Sequence, residues 1–199
     1  MPRTAQLQNF LPTLRAAFDE SDSTPEVMDV ARKVFQALQT DEGLPRTSQP
    51  KRLPVCSYLT EAQMPAQKAS PALSGLIRAF NDVEPEITWV VRKAGAANAS
   101  DNWPENHANG MIFGPSGVEE RSDVMIGASL LAPHVRYPDH SHPPEEIYLV
   151  LTPGQFQHGS SDWFTPGVGG TLHNVPSIKH AMASGDTPLL ALWCLLLKP

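Results

Sequence analysis

Tyr137-Pro-Asp-His140-Ser-His142-Pro-Pro-Glu145-Glu146-Ile-Tyr148-Leu-Val150-Leu151 is the stretch from which the rest of this 199-residue chain can be read. In an extended backbone, residues two apart project to one face, so His140 and His142 point together, and so do Glu146 and Tyr148. Pro143 and Pro144 cannot continue a paired ladder and force a break between the two pairs. Beyond the break, Ile147, Leu149 and Leu151 give a strand one apolar face, leaving Glu146 and Tyr148 with Val150 on the other. A carboxylate held there calls for a cation close by. Six of the seven histidines fall between His134 and His180. Imidazoles with a strand-borne acid, and His180 following after a turn, are the usual donors for a divalent first-row metal, and a set with open positions marks catalysis rather than structure.

Outward from this centre, the chain divides by periodicity. Leu7, Phe10, Leu11, Leu14 and Phe18 form one helical stripe, interrupted by Pro12, which signals a helix start or a kink. Thr24-Pro25-Glu26 and Ser70-Pro71 are helix-entry signals. Val27, Val30, Ala31, Val34 and Leu38 follow the first; Leu73, Leu76, Ile77 and Phe80 follow the second. Thr40 to Lys51 is polar and reads as a loop. From Glu86 onward, runs at Ile87 to Val91, Val124 to Leu131, Glu146 to Leu151 and Leu189 to Leu197 are separated by Pro, Gly, Asn and Asp. That pattern predicts a mainly β sandwich or barrel over residues 84–199 preceded by a helical segment over residues 1–83. Gly167-Val-Gly-Gly170 lacks the context of a phosphate cradle and is expected to be a hairpin turn.

Composition excludes several classes of function. A net charge of -6 without Lys/Arg clusters disfavours nucleic acid and anionic membranes. No run is long enough to span a bilayer, and the first ten residues lack the apolar stretch of a secretory signal, so a cytoplasmic protein acting on a small molecule is expected. Cys56 and Cys194 are the only cysteines and are expected to be free and buried.

The spacing His140-x-His142, three residues, Glu146, then a distant His180 after Pro176, resembles the two metal motifs of the cupin superfamily, double-stranded β-helical jelly rolls. His134 stands where the general pattern has glycine. With Tyr137 three residues before His140, and Tyr148 two after Glu146, the chain is more closely similar to the Q-type cupin dimethylsulfoniopropionate lyases, whose helical segment ahead of a small cupin it also shares.

That resemblance implies a carbon-sulfur lyase that eliminates dimethyl sulfide from dimethylsulfoniopropionate to leave acrylate. It implies a divalent metal (Zn, Fe, Mn, Co or Ni) on His142, Glu146 and His180, with His140 a fourth ligand or a support behind them. A tyrosine would act as base, Tyr148 as the metal-adjacent candidate and Tyr137 as its rival, with Tyr137, Tyr148 and His140 touching substrate. The sulfonium needs an aromatic face, for which Trp89, Trp103, Trp163, Trp193 and the two tyrosines Tyr137 and Tyr148 are candidates. His134 reads as structural on the preceding strand, His158 and His173 as turn or surface residues, and Glu145 as facing solvent or a partner. A cupin Fe(II) dioxygenase and a non-enzymatic ligand-binding cupin are the alternatives. The first leaves the paired tyrosines unexplained, and the second usually carries a basic helical module that is missing here.

Overall fold

The computed structural model describes residues 3–40, 43–46, 49–93 and 95–197, without the side chains of residues 40 and 45. Four α-helices come first: α1 (Ala5–Glu20), α2 (Pro25–Thr40), α3 (Leu59–Ala69) and α4 (Pro71–Val83). Thr4 caps α1 by accepting from the Leu7 amide, and Ser70 caps α4 by accepting from Leu73. Pro12 does not mark the start of α1. The helix begins at Ala5 and runs through the proline. The sequence reading missed α3, whose buried residues are Leu59, Ala62, Gln63 and Ala66.

The strands are β1 (Leu44–Pro45), β2 (Trp89–Val90), β3 (His107–Phe113), β4 (Glu119–Glu120), β5 (Val124–Leu131), β6 (Glu145–Val150), β7 (Gln155–His158), β8 (Thr171–Asn174), β9 (His180–Ala183) and β10 (Leu189–Leu196). One eight-stranded sheet runs β1-β4-β3-β5-β10-β6-β8 with β2 on β3, and β7 pairs with β9 in a second sheet. The region expected to be a loop between α2 and α3 thus contributes β1, and Lys51 bridges to Thr88; residues 41, 42, 47 and 48 of it lie outside the described set. The turn at Val168 and Gly169 feeds β8, which pairs with β6, so it does not close a hairpin.

The central ladder explains the apolar runs. β10 lies between β5 and β6, antiparallel to both, so Leu189 to Leu195 are buried on both faces. The helices cover the outside: α2 packs on β5, β6, β8 and β10, and apolar residues of helices and strands form one continuous core. A buried ionic cluster ties the layers together. Arg3 grips Glu119 with two bonds of 2.6 and 2.9 Å and reaches the Leu38 carbonyl, while Arg121 binds Glu119, Asp123 and the Ala37 carbonyl. Cys56 and Cys194 are both buried and free.

Candidate metal centre

β6, β9 and the segment just before β6, which carries His142, bring the predicted donors to one point. The side-chain donor atoms of His142, Glu146 and His180 all lie within 4.8 Å of one another. Oε2 of Glu146 is 3.3 Å from Nε2 of His142 and 3.2 Å from Nε2 of His180. Backbone carbonyls set the imidazole tautomers: Nδ1 of His140 faces Pro138 O at 2.9 Å, that of His142 Pro144 O at 2.9 Å, and that of His180 Ile178 O at 3.0 Å. Each Nδ1 therefore donates to its carbonyl, and Nε2 of His142 and of His180 is left turned toward Glu146, able to coordinate a metal or, in its place, to carry a proton.

Nε2 of His180 is buried and has no hydrogen-bond partner among the described residues. It faces the Glu146 oxygen at 3.2 Å, a distance at which a bare ring nitrogen and a carboxylate would repel each other. Only a proton or a metal ion relieves that contact, and the two-imidazole, one-carboxylate donor set suits a divalent transition metal.

Electrostatics follow from the same contacts. Burial works to raise the Glu146 carboxyl, but the imidazoles of His142 and His180 outweigh it and hold the group well below the usual carboxylate range. Burial alone would lower His142, yet the hydrogen bond and charge of Glu146 overcome it and raise its pKa above 6.5. His140 goes the other way: burial, then the neighbouring His180, depress it from 6.5 to about 4. Its ring lies 4.0 Å from that of His180, and the two backbones exchange hydrogen bonds of 3.0 and 2.8 Å. His140 is not among the three converging donors.

The centre opens into a cavity of about 170 Å³ lined by Tyr137, His140, His142, Glu146 and Tyr148 and also by Arg92, Asn109, Ser129, Met125, Met182, Trp193 and Leu195. Both phenols are buried. Tyr148 hydrogen-bonds to Glu146; burial and then that carboxylate's charge push its pKa well up. Burial raises Tyr137 too, but Asn109 and Arg92 donate to its oxygen and oppose the shift. A larger cleft of about 770 Å³ runs along α1 and α2 beside Arg15, Asp19 and Asp29, away from the converging donors.

The remaining histidines and tryptophans sort clearly. His173 and His158 sit on strands β8 and β7 rather than in turns, with His173 bonded to Glu145 at 2.7 Å and His158 to Asn174 at 3.2 Å. Glu145, half-buried, has His173 as a partner. His134 is exposed in a turn with φ 58°, after β5 rather than on it. Trp193 lines the cavity, Trp103 packs edge-on to Tyr137, Trp89 is buried beside Glu84, and Trp163 stacks under Arg136. Gly127, opposite Trp193 in the ladder, admits that indole: a Cβ there would lie 2.3 Å from the ring. Sequence reading missed Arg92, Asn109, Ser129 and His107, which no local spacing connects to the histidine motif.

A family model described as dimethylsulfoniopropionate lyase matches residues 27–191. A curated relative from Cereibacter sphaeroides, named for dimethylsulfoniopropionate cleavage (DddL), is 26% identical over 137 residues, covering 69% of this chain and 56% of the relative. The chain thus spans just over half that protein's length. A chain from the crystal structures of the lyases RdDddP and RnDddQII superposes with a TM-score of 0.71 at 24% identity, covering 96% of this chain and 92% of its own. DddQ from Ruegeria pomeroyi gives 0.67 at 20%, covering 87% and 92%. The shared architecture is a cupin jelly roll behind N-terminal helices. With the family model extending over most of the sequence and the fold in agreement, this chain belongs to the dimethylsulfoniopropionate lyase family.

Proposed function

We propose that the protein is a metal-dependent carbon-sulfur lyase that converts dimethylsulfoniopropionate to acrylate and dimethyl sulfide, with Tyr148 as the base. The family and the name of the Cereibacter relative support the substrate. The observation that carries the reaction is the convergence of His142, Glu146 and His180 at a small cavity walled by two phenols. Bound there, a divalent cation of the Zn, Fe, Mn, Co or Ni group supplies Lewis-acid charge beside a substrate carboxylate and lowers the pKa of an adjacent phenol.

The chain's own residues divide the remaining work. Tyr148, hydrogen-bonded to Glu146, takes the Cα proton. The electron pair left on Cα becomes the Cα=Cβ bond, the Cβ–S bond breaks, and dimethyl sulfide departs with the sulfur electrons. Tyr137 contacts substrate as a hydroxyl donor, because its oxygen already accepts from Asn109 and Arg92. His140, with its pKa near 4, stays neutral at physiological pH and does not repel the sulfonium. The Trp193 ring, with Met125, Met182 and Leu195, offers that weakly hydrated cation a polarisable wall.

Headspace detection of dimethyl sulfide from the purified, metal-loaded protein tests this reading. Release that stops on chelation and returns with metal is expected. No release from the loaded protein overturns the substrate, undiminished release after metal removal overturns the metal dependence, and oxygen consumption during turnover would place the protein with the oxygenases.

A further inference from the structure

We propose that Arg92 and Tyr137 form a carboxylate-receiving wall of the cavity, with Asn109 as the positioning residue that aims the Tyr137 proton at the bound anion. The identity of the anion's bearer rests on the lyase reading; the recognition of a carboxylate rests on the hydrogen-bond directions alone.

Those directions are fixed from the far end. The Trp193 indole can only donate, and its Nε1 reaches Ser129 Oγ at 3.1 Å. Ser129 in turn gives its proton to Oδ1 of Asn109 at 2.7 Å. Asn109 and Ser129 are register partners on β3 and β5, so the ladder itself holds this contact. With its carbonyl thus occupied, the Asn109 amide turns its NH2 to the Tyr137 oxygen at 3.0 Å. The Arg92 guanidinium, which has donors only, bonds to the same oxygen. Two donors fill the acceptor positions of the phenol, and what Tyr137 retains to offer is its own O–H. A chain of bonds running in one direction strengthens the last donor.

Arg92 is held as deliberately. Its backbone N–H donates to Nε2 of His107 at 2.8 Å, and Nδ1 of His107 donates to the Trp103 carbonyl at 2.7 Å. His107 is fully buried and stacked on Trp103 with ring centroids 4.5 Å apart. Trp103 also meets the Tyr137 ring edge-on at 6.0 Å. One packed unit therefore sets both Arg92 and Tyr137 against the cavity. Together they present a cation and a hydroxyl donor, which fits a carboxylate and turns away a sulfonium. The zwitterionic substrate is thereby oriented, its cationic end toward Met125, Met182 and Leu195.

The test uses the metal-loaded enzyme, with steady-state kinetics on dimethylsulfoniopropionate and calorimetric binding of acrylate. Arg92→Gln is expected to raise KM and to weaken acrylate binding about 30-fold each, with kcat within about threefold of wild type and metal content unchanged. Arg92→Lys should recover part of both losses. Asn109→Asp replaces the donor with an acceptor that captures the Tyr137 proton, and should reproduce the rise in KM. Wild-type KM and acrylate affinity in Arg92→Gln overturn the proposal, as does a loss confined to kcat. If Asn109→Asp fails to fold, the Arg92 pair decides the matter. Arg92-dependent acrylate binding in an enzyme that releases no dimethyl sulfide would retain the anion wall and remove the lyase reading.

Discussion

Asn174 donates its side-chain amide to Oε2 of Glu146 across 3.1 Å, and the two residues are direct register partners on β8 and β6. Because Oδ1 of Asn174 is engaged by Nδ1 of His158 at 3.2 Å, the amide cannot rotate away, and the carboxylate is held facing His142 and His180. Removing such an outer partner typically lowers metal affinity 10–100-fold, and Asn174→Ala should do so by about that factor. Competition against a chromogenic chelator measures it. His180→Ala should go further and leave the protein depleted of metal by elemental analysis; full occupancy in that variant would remove His180 from the ligand set.

The two tyrosines should separate kinetically. Tyr148→Phe is expected to lower kcat at least about 100-fold with metal content intact, the usual cost of losing a positioned base. Tyr137→Phe should act chiefly on KM. The opposite pattern, measured by dimethyl sulfide release, would exchange their roles.

Metal affinity should depend on pH through His142. Glu146 holds a proton on that imidazole with a pKa raised above 6.5, and a metal must displace it. Apparent affinity is therefore full above the raised pKa and falls by about tenfold per pH unit below it. Titrations at stepped pH values test the slope; a flat profile would contradict the His142–Glu146 pairing.

Stability of the metal-depleted protein should fall in acid through His140. Its folded pKa of about 4 lies below the unfolded value of 6.5, so the unfolded chain binds a proton that the native chain refuses. The contribution is complete above 6.5 and is lost as pH drops toward 4, about 3 kcal/mol in all. Denaturant melts of wild type and His140→Asn across that window should diverge by roughly this amount, and parallel curves would refute it.

Glu119→Ala should be among the most destabilising single changes outside the cavity. Glu119 is 5% exposed and neutralises both Arg3 and Arg121, the latter 7% exposed. Its loss leaves Arg3 without a carboxylate while Arg121 keeps Asp123, at a cost of about 3–5 kcal/mol by analogy with other buried pairs. The loss, read from chemical denaturation, should loosen the attachment of α2 and the N-terminal residues to the barrel.

Legibility tracked how local the determining contacts are. Val124 to Leu131 was read to the residue because a strand inside a ladder needs apolar groups on both faces. β3 escaped because Asn109 points into the cavity and Gly110 makes room for Trp89, which breaks the apolar pattern. α3 escaped because its buried stripe includes Ala62, Gln63 and Ala66 and contains Pro65. Within the site, His140, His142, Glu146 and Tyr148 were legible since period-two spacing puts them on the right faces. Arg92, Asn109, Ser129 and Trp193 reach the same cavity from four separate segments. Strand register joins Asn109, Ser129 and Trp193, and a backbone bond to His107 holds Arg92; a single sequence states neither.

Gly127 turns that register into a dimension of the cavity. The indole opposite lies so close to its Cα that the clearance is smaller than one methyl group. An alanine there would tilt Trp193 off the strand, shift its N–H from Ser129, and narrow the space in which a substrate must fit. The bore of this cavity is thus fixed by a hydrogen atom standing where every other amino acid would place carbon.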